Sequence, residues 1–419
     1  MNIWLFHVGE LLPIDGEERL FRYGLLADRL CAQGHSVTRW APTFSHLTKT
    51  QRCLFDRTLH VRRGYHIELV YAPGYGRNIG LERIRSHHQF SRALQRRITR
   101  ESPPDIILAG IPTPEMCLVA LRYAQRHGIP LVMDVRDLWP DVYLTILPKA
   151  FHPLARLVLL QKYRTNRYLF ASAAAIFAVS ETYLDWGLSF ASRDRTDADG
   201  VFPLGYPEHA YPEDELAREK VRLVESGVDQ GKIICCFFGQ FESSYDLITV
   251  VDAARVLEQQ GYDTVQFVLC GKGTKLKSLC KRASGLNNVI MPGWVSASTI
   301  HALMQMATIG LAAYVREAPQ SLPNKPIEYM AGGLAVLSSL RGELESILAA
   351  KRCGITYEAG DVHTLVRAIR FLAEHPEETL GMRRRARETF EERFSVRRVY
   401  PEMIAQLERI AKGELRACT

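Results

Sequence analysis

The sequence predicts an α/β protein of two doubly wound parallel sheets with a ligand cleft between the halves. Short apolar runs alternate with amphipathic stretches of helical period, the pattern of buried parallel strands covered by helices. The rhythm restarts after residue 205. Between the halves, Phe202-Pro203-Leu204-Gly205-Tyr206-Pro207 is punctuated by proline and glycine and reads as a hinge. At about 150 residues per domain, 419 residues allow two or three domains. The expected division is 1–205, 206–396, and a C-terminal helix within 397–419 that packs back on the first half.

In chain order, Ile3–Val8 reads as a strand, and Glu18–Gln33 as a helix with Leu20, Leu25, Leu26 and Leu30 on one face, stopped by Gly34. Ser36–Ala41 and His66–Ala72 read as strands and Leu81–Thr99 as a basic helix. Asp105–Ala109 and Pro130–Val135 are strands flanking a helix from Pro114 to Gly128. In the second half, Lys232–Phe238, Val265–Cys270, Val289–Met291, Ile309–Tyr314, Ala335–Ser338 and Gly354–Tyr357 read as strands. Asp246–Gly261, Leu276–Ser284, Ser296–Ala307, Pro326–Ala331 and Val362–His375 read as the helices around them, and Val399–Lys412 as the last helix.

Hydrophobic residues at 47% and charged residues at 24% exclude disorder and coiled coil as the main architecture. Lys plus Arg is 53 against 46 Asp plus Glu, a surplus of +7. That admits an anionic substrate or membrane surface but is too small to argue for nucleic acid. The nine cysteines are scattered, without a CxxC or Cys/His cluster, as expected of reduced thiols in a cytoplasmic protein. Cys235 and Cys236 are adjacent on one strand and point to opposite faces, so they cannot clamp one metal. The N-terminus lacks a signal-peptide pattern, and no apolar run reaches the roughly 18–20 residues of a membrane span.

Ligands of open parallel sheets bind beyond the carboxyl ends of the strands, so the chemistry is sought there. After the first strand comes a loop from Gly9 through Glu10 to Gly16, leading into a helix N-terminus suited to anionic oxygens. After Val135 come Arg136, Asp137, Trp139 and Asp141, a crowding that favours catalysis or acceptor binding. After Phe238 come Gly239, Gln240 and Tyr245, a second glycine loop into a helix whose amides would suit phosphate. Gly271-Lys272-Gly273 starts like GxGxxG, but Leu276 stands where the third glycine belongs. The most informative stretch runs from Gln320 through Asn324, Lys325, Pro326 and Glu328 to Gly333. Pro326 fits a first helical turn, and Lys325 and Glu328, three apart, can share one face of it. A lysine suits a diphosphate as a point charge, and a carboxylate suits the two hydroxyls of a ribose. Together they could hold a nucleotide sugar without a metal or other cofactor.

These residues resemble the retaining glycosyltransferases of family four, over nearly the whole chain. The likeness is strongest over Phe238–Gly333 and extends to Gly34-His35-Ser36-Val37, Arg136-Asp137-Leu138-Trp139-Pro140 and Ala178-Val179-Ser180. It looks most like the bacterial branch that builds O-antigen, capsule and other surface polysaccharides. The resemblance implies the type-B fold of two facing Rossmann-like domains. It also implies metal-independent transfer, with retention, from a UDP- or GDP-linked sugar to a saccharide acceptor on a polyprenyl diphosphate. Glu328 matches the second glutamate of the family's Glu-x7-Glu motif, which holds the donor ribose; Gln320 replaces the first. Lys325 matches a basic residue for the diphosphate, and Gly16 falls in the loop that family members bring near the donor phosphates. Asp137 stands at roughly the strand end where many members carry a histidine near the reacting sugar. The expected donor residues are thus Gly16, Gly239, Gln240, Tyr245, Gly271, Lys272, Gln320, Asn324, Lys325 and Glu328. The acceptor side is Glu10, Arg136, Asp137 and Trp139, and catalysis falls to Asp137, Lys325 and Glu328.

Asp197-Ala198-Asp199 spells DxD but lies in a charged loop with no strand leading in, and is read as structural. Adjacent His87 and His88 lie about 100° apart on a helix, so a surface or acceptor contact is expected of them rather than a shared ligand. In 151–170, Leu154, Leu157, Val158 and Leu159 alternate with Arg156, Lys162, Arg164 and Arg167, a basic amphipathic pattern that suits the inner face of the cytoplasmic membrane. Two alternatives remain: an epimerase or hydrolase of the same fold, and a silent nucleotide-sugar-binding subunit. Gln320 favours the second of these; Lys325 and Glu328 oppose it.

Overall fold

The computed structural model describes residues 1–16, 20–77, 80–145, 147–208 and 210–415. It divides into two compact units, Met1–Gly205 with Val399–Thr419, and Tyr206–Arg398.

Among the described residues, the first unit holds eight strands. They are β1 (Asn2–Phe6), β2 (Ser36–Pro42), β3 (Arg57–Arg62), β4 (Tyr65–Val70), β5 (Ile106–Ile111), β6 (Leu131–Val135), β7 (Ala175–Ala178) and β8 (Gly200–Val201). Their order is β3-β4-β2-β1-β5-β6-β7-β8. Every pairing is parallel except β3 with β4, which is antiparallel. The second unit holds β9 (Ile233–Gln240), β10 (Val265–Lys272), β11 (Val289–Gly293), β12 (Ile309–Ala312), β13 (Ala335–Ser338) and β14 (Gly354–Thr356). Their order is β11-β10-β9-β12-β13-β14, all parallel.

The central strands are buried on both faces, which is why β9 reads Ile-Ile-Cys-Cys-Phe-Phe without alternation. Cys235 and Cys236 are both fully buried free thiols; Cys418 lies outside the described residues. The first unit departs from the sequence reading in several elements, β7, β8 and a helix at Glu181–Ala191 having no counterpart in it. The first helix is Arg22–Ala32, and its expected start at Glu18 lies outside the described residues. β3 is an added antiparallel edge strand. The stretch 151–170 is two helices, His152–Val158 and Leu160–Ala171, meeting at Leu159. Three further helices, Glu213–Glu225, Glu343–Lys351 and Pro376–Arg393, belong to the second unit.

The last helix, Val396–Ala411, supplies Tyr400, Ile404 and Leu407 as buried residues. Its Gln406 Nε2 donates to the carbonyls of Asp197 (3.2 Å) and Ala198 (2.8 Å). Asp199, the second acid of the DxD triplet, accepts from both Arg193 nitrogens at 2.7 Å and from the Thr196 and Ile176 amides at 2.8 Å. It is a loop latch.

Candidate functional site

In the second sheet the chain runs from β9 to β10 and β11 on one side, then to β12, β13 and β14 on the other. The carboxyl end of β9 is therefore the switch point where such sheets bind ligands. Gly239 sits there at φ +136°, and a Cβ on it would lie 2.2 Å from Lys325 Nζ. Gly239 thus makes room for the lysine as well as the turn. Lys325 Nζ donates to the Phe238 carbonyl at 2.5 Å, with the ring centres of Phe237 and Tyr245 at 4.7 and 5.1 Å. Gly271 pairs with Gly239 in register, and a Cβ on it would stand 2.0 Å from the Gly239 carbonyl oxygen. The two glycines let the ends of β9 and β10 approach closely, with the Phe241 ring packed against Gly271 and the Lys325 ammonium against Gly239. Exposed Gln240 and Lys272 follow, Lys272 Nζ resting 4.5 Å from the Trp294 ring centre.

The helix that carries Lys325 and Glu328 is Asn324–Ala331. It is set on the sheet through Gly310 of β12, where a Cβ would lie 2.2 Å from Tyr329 Cγ, and through a 3.1 Å bond from Tyr329 Oη to the Leu311 carbonyl. Pro323 precedes it, and no side chain caps its N-terminus among the described residues. A helix N-terminus is a place where an anion can be received. Glu328, one turn on, is 9% exposed. Burial pushes the Tyr245 and Tyr314 phenols up, and the Glu328 charge adds to the effect. Gln320, in the loop before the helix, has a buried Oε1 without a hydrogen-bond partner among the described residues.

At each of the two helices expected to present amides to phosphate, an internal carboxylate takes one of the leading amides. The helix after Gly239 begins only at Leu247, and Asp246 caps it by accepting from Thr249 N (3.4 Å) while also accepting from Gly360 N (3.0 Å). The helix after Gly16 begins at Arg22, and Glu10 Oε2 accepts from Tyr23 N at 3.0 Å. Gly16 itself is exposed at φ +115°, with nothing within 4 Å of a Cβ built on it.

In the first unit the switch point lies between β1 and β5. Glu10, expected on the acceptor side, is 6% exposed and engaged internally: besides Tyr23 N, it accepts from Arg39 Nη2 (3.2 Å) and from Arg136. It positions Arg136, whose Nη1 also lies 3.1 Å from His7 Nε2. Burial, and next the Arg136 charge, hold His7 well below its usual pKa, so it is neutral. Beneath, Arg22 makes a bidentate pair with Asp134 at 2.9 Å and donates to the carbonyls of Phe202 (2.6 Å) and Pro203 (3.2 Å).

Asp137 accepts from Leu138 N (2.9 Å) and Trp139 Nε1 (3.2 Å), yet burial pushes its carboxyl above the usual range. Trp139 is 6% exposed, so its ring is a support for Asp137 rather than an open stacking platform. The sequence reading missed what surrounds it. Arg83 lies 4.7 Å from the Trp139 ring centre and 5.8 Å from that of Tyr75. Lys49 Nζ lies 4.7 Å from the Tyr75 ring centre, and His46 Nδ1 lies 2.7 Å from Tyr75 Oη. Burial, then Arg83 and Lys49, lower the His46 pKa to about 4. Burial and then Arg83 likewise lower His87 to about 3. Thr113, at the end of β5, was also missed: it is buried at φ +111° with an unpartnered Oγ1 among the described residues. A strained, buried threonine at a switch point has no sequence signature.

Two doubly wound α/β units of this kind are the type-B glycosyltransferase fold. The chain belongs to the glycosyltransferases: the family model for group 1 glycosyl transferases matches 221–389, and that for a glycosyl transferase 4-like domain matches 22–195. No curated protein matches by sequence. Among solved structures, sucrose-phosphate synthase from Thermosynechococcus elongatus has a TM-score of 0.70 at 16% identity, covering 99% of each chain. Anabaena HepE (Alr3699) in complex with UDP-glucose gives 0.61 at 15%, covering 99% of each chain. WaaG, a glycosyltransferase involved in lipopolysaccharide biosynthesis, gives 0.61 at 14%, covering 98% of this chain and 99% of its own.

Proposed function

We propose that this glycosyltransferase moves a sugar from a UDP- or GDP-linked donor to a saccharide carried on a polyprenyl diphosphate, with retention at the anomeric carbon and without a metal. The carrying observation is Lys325 Nζ held against Gly239 and the Phe238 carbonyl at the end of β9, with Glu328 one turn along the same helix. In this reading Glu328 accepts from the ribose hydroxyls. Lys325 and the amides at Asn324 neutralise the departing diphosphate, the charge that grows in the transition state. The acceptor hydroxyl attacks the anomeric carbon on the face the phosphate leaves, and its proton passes to the leaving phosphate oxygen. Asp137, whose carboxyl burial pushes above its usual range, is the acceptor-side residue in this reading. The cluster of Lys49, Arg83 and Tyr75 suits a diphosphate on the carrier. The complex of HepE with UDP-glucose and the role named for WaaG support the donor and polysaccharide readings respectively.

A thermal-shift panel of UDP, GDP, ADP and their sugar conjugates, with and without EDTA, tests the donor site. A ligand at 100 times its dissociation constant stabilises by about 2.7 kcal/mol. One nucleotide should raise the melting point, EDTA should not change the shift, and Glu328→Ala should shrink it. A shift that EDTA abolishes would overturn the metal-free reading, and one that Glu328→Ala leaves intact would overturn the ribose assignment.

The acceptor would reside in a membrane. Among the described residues, no helix is long and apolar enough to cross one. Phe151, Leu154, Leu157 and Val158 are nevertheless 56% to 76% exposed, beside exposed Lys149, Arg156 and Arg164. Such a surface fits an anionic leaflet. The protein should co-sediment with phosphatidylglycerol vesicles and not with phosphatidylcholine vesicles, and Leu157→Asp with Val158→Asp should abolish it. Equal recovery with both lipids, or an unaffected double variant, would remove the membrane contact.

A further inference from the structure

The β3–β4 pair carries a second constellation. His60 stands directly opposite His66, with ring centres 6.1 Å apart. His66 and Glu68 are two residues apart on β4, so they share one face of the sheet. Glu101, just beyond the Leu81–Arg97 helix, joins them: one ligand atom from each of His66, Glu68 and Glu101 lies within 4.8 Å of the others. A cavity of about 320 Å³ opens here, lined by Thr38, His60, His66 and Glu101 among others.

Glu68 is 1% exposed. Its Oε2 accepts from Arg97 Nε (3.0 Å) and Nη2 (2.8 Å), while Oε1 is buried with no hydrogen-bond partner among the described residues. A buried carboxylate oxygen without a partner is costly unless something satisfies it. His66 Nε2 lies 3.1 Å from Thr38 Oγ1, a contact that orients the ring as second-shell groups orient metal ligands. Glu68 and Glu101 face the Arg97 guanidinium, and Arg62, which lines the same cavity, is paired with Asp28.

We propose that His66, Glu68 and Glu101 bind one divalent transition-metal ion of the Zn²⁺ class. An imidazole with two carboxylates is a mixed nitrogen and oxygen set, which suits Zn²⁺ or Co²⁺ better than Mg²⁺ or Ca²⁺. His66 and Thr38 lie near the beginnings of β4 and β2, and Asn2 at the beginning of β1 lines the same cavity. The ion therefore sits at the amino edge of the first sheet, opposite the edge that carries Asp137. Its role is structural: it ties the β3–β4 hairpin to the end of the Leu81–Arg97 helix, and the proposed transfer chemistry does not depend on it.

The test is titration of EDTA-stripped, full-length protein with Zn²⁺ followed calorimetrically and with Co²⁺ followed by absorption. Wild type should take up one ion per chain at this site and melt higher with it. Co²⁺ should give weak visible bands without the near-ultraviolet thiolate charge-transfer band. His66→Ala and Glu101→Gln should each weaken binding about tenfold or more, since loss of even an outer-shell partner costs 10–100-fold. Near-ultraviolet circular dichroism of the stripped variants establishes that they fold, and Glu101→Gln carries the test if His66→Ala does not. Absence of binding, a thiolate band, or variants that bind like wild type would overturn the proposal.

Discussion

Lys325→Ala is expected to lower kcat for sugar transfer by about 10²–10³, the cost of removing one preorganised group that meets charge developing in a transition state. In the proposed reading the lysine acts on the departing diphosphate, so kcat should fall more than donor affinity. Lys325→Arg should rescue poorly. The ammonium is fitted between the Phe238 carbonyl and a glycine whose Cβ would stand 2.2 Å away, and a planar guanidinium needs more room. Gly239→Ala should resemble Lys325→Ala for the same reason, because it displaces the ammonium. Steady-state rates with the nucleotide sugar found by thermal shift decide this. A kcat within twofold of wild type for Lys325→Ala would remove the lysine from the chemistry.

Arg22→Ala is expected to cost about 3–5 kcal/mol, the range for leaving one member of a buried ion pair alone. Both side chains of the Arg22–Asp134 pair are fully buried, and Arg22 also satisfies the Phe202 and Pro203 carbonyls. One substitution would strand a charge and two acceptors. Urea unfolding monitored by tryptophan fluorescence should show a lower midpoint, the first unit containing Trp4, Trp40, Trp139 and Trp186. An unchanged midpoint would mean that water reaches Asp134 in the variant and that the bracket is dispensable.

Neither effect was equally visible in the chain. The residues proposed for the donor could be picked out because their signals are local: Gly239 and Gly271 fall at the ends of apolar strands, and the run from Asn324 to Glu328 opens a helix. The Arg22–Asp134 and Glu10–Arg136 pairs could not, because their members lie 112 and 126 residues apart and nothing local marks them. β3 was hidden for another reason. Arg57-Thr58-Leu59-His60-Val61-Arg62 is an edge strand with charged, exposed positions, and such residues read as a loop. The Pro376–Arg393 helix is rich in arginine and glutamate, so its narrow apolar face was overlooked. Asp246 was seen but taken only as the start of a helix, whereas an aspartate at that position is itself a cap and takes one of the leading amides.

The return of the last helix has a consequence for synthesis. Tyr206–Arg398 is one uninterrupted segment, but the first unit is written in two pieces, with the second unit inserted between them. On the ribosome, every strand of the second unit emerges before the residues that finish the first. Until Tyr400, Ile404, Gln406 and Leu407 arrive, the carbonyls of Asp197 and Ala198 await their donor and part of the apolar surface stays wet. The first unit is thus completed only after the whole of the second has been made, and a truncation just after Arg398 would damage the first unit rather than the second.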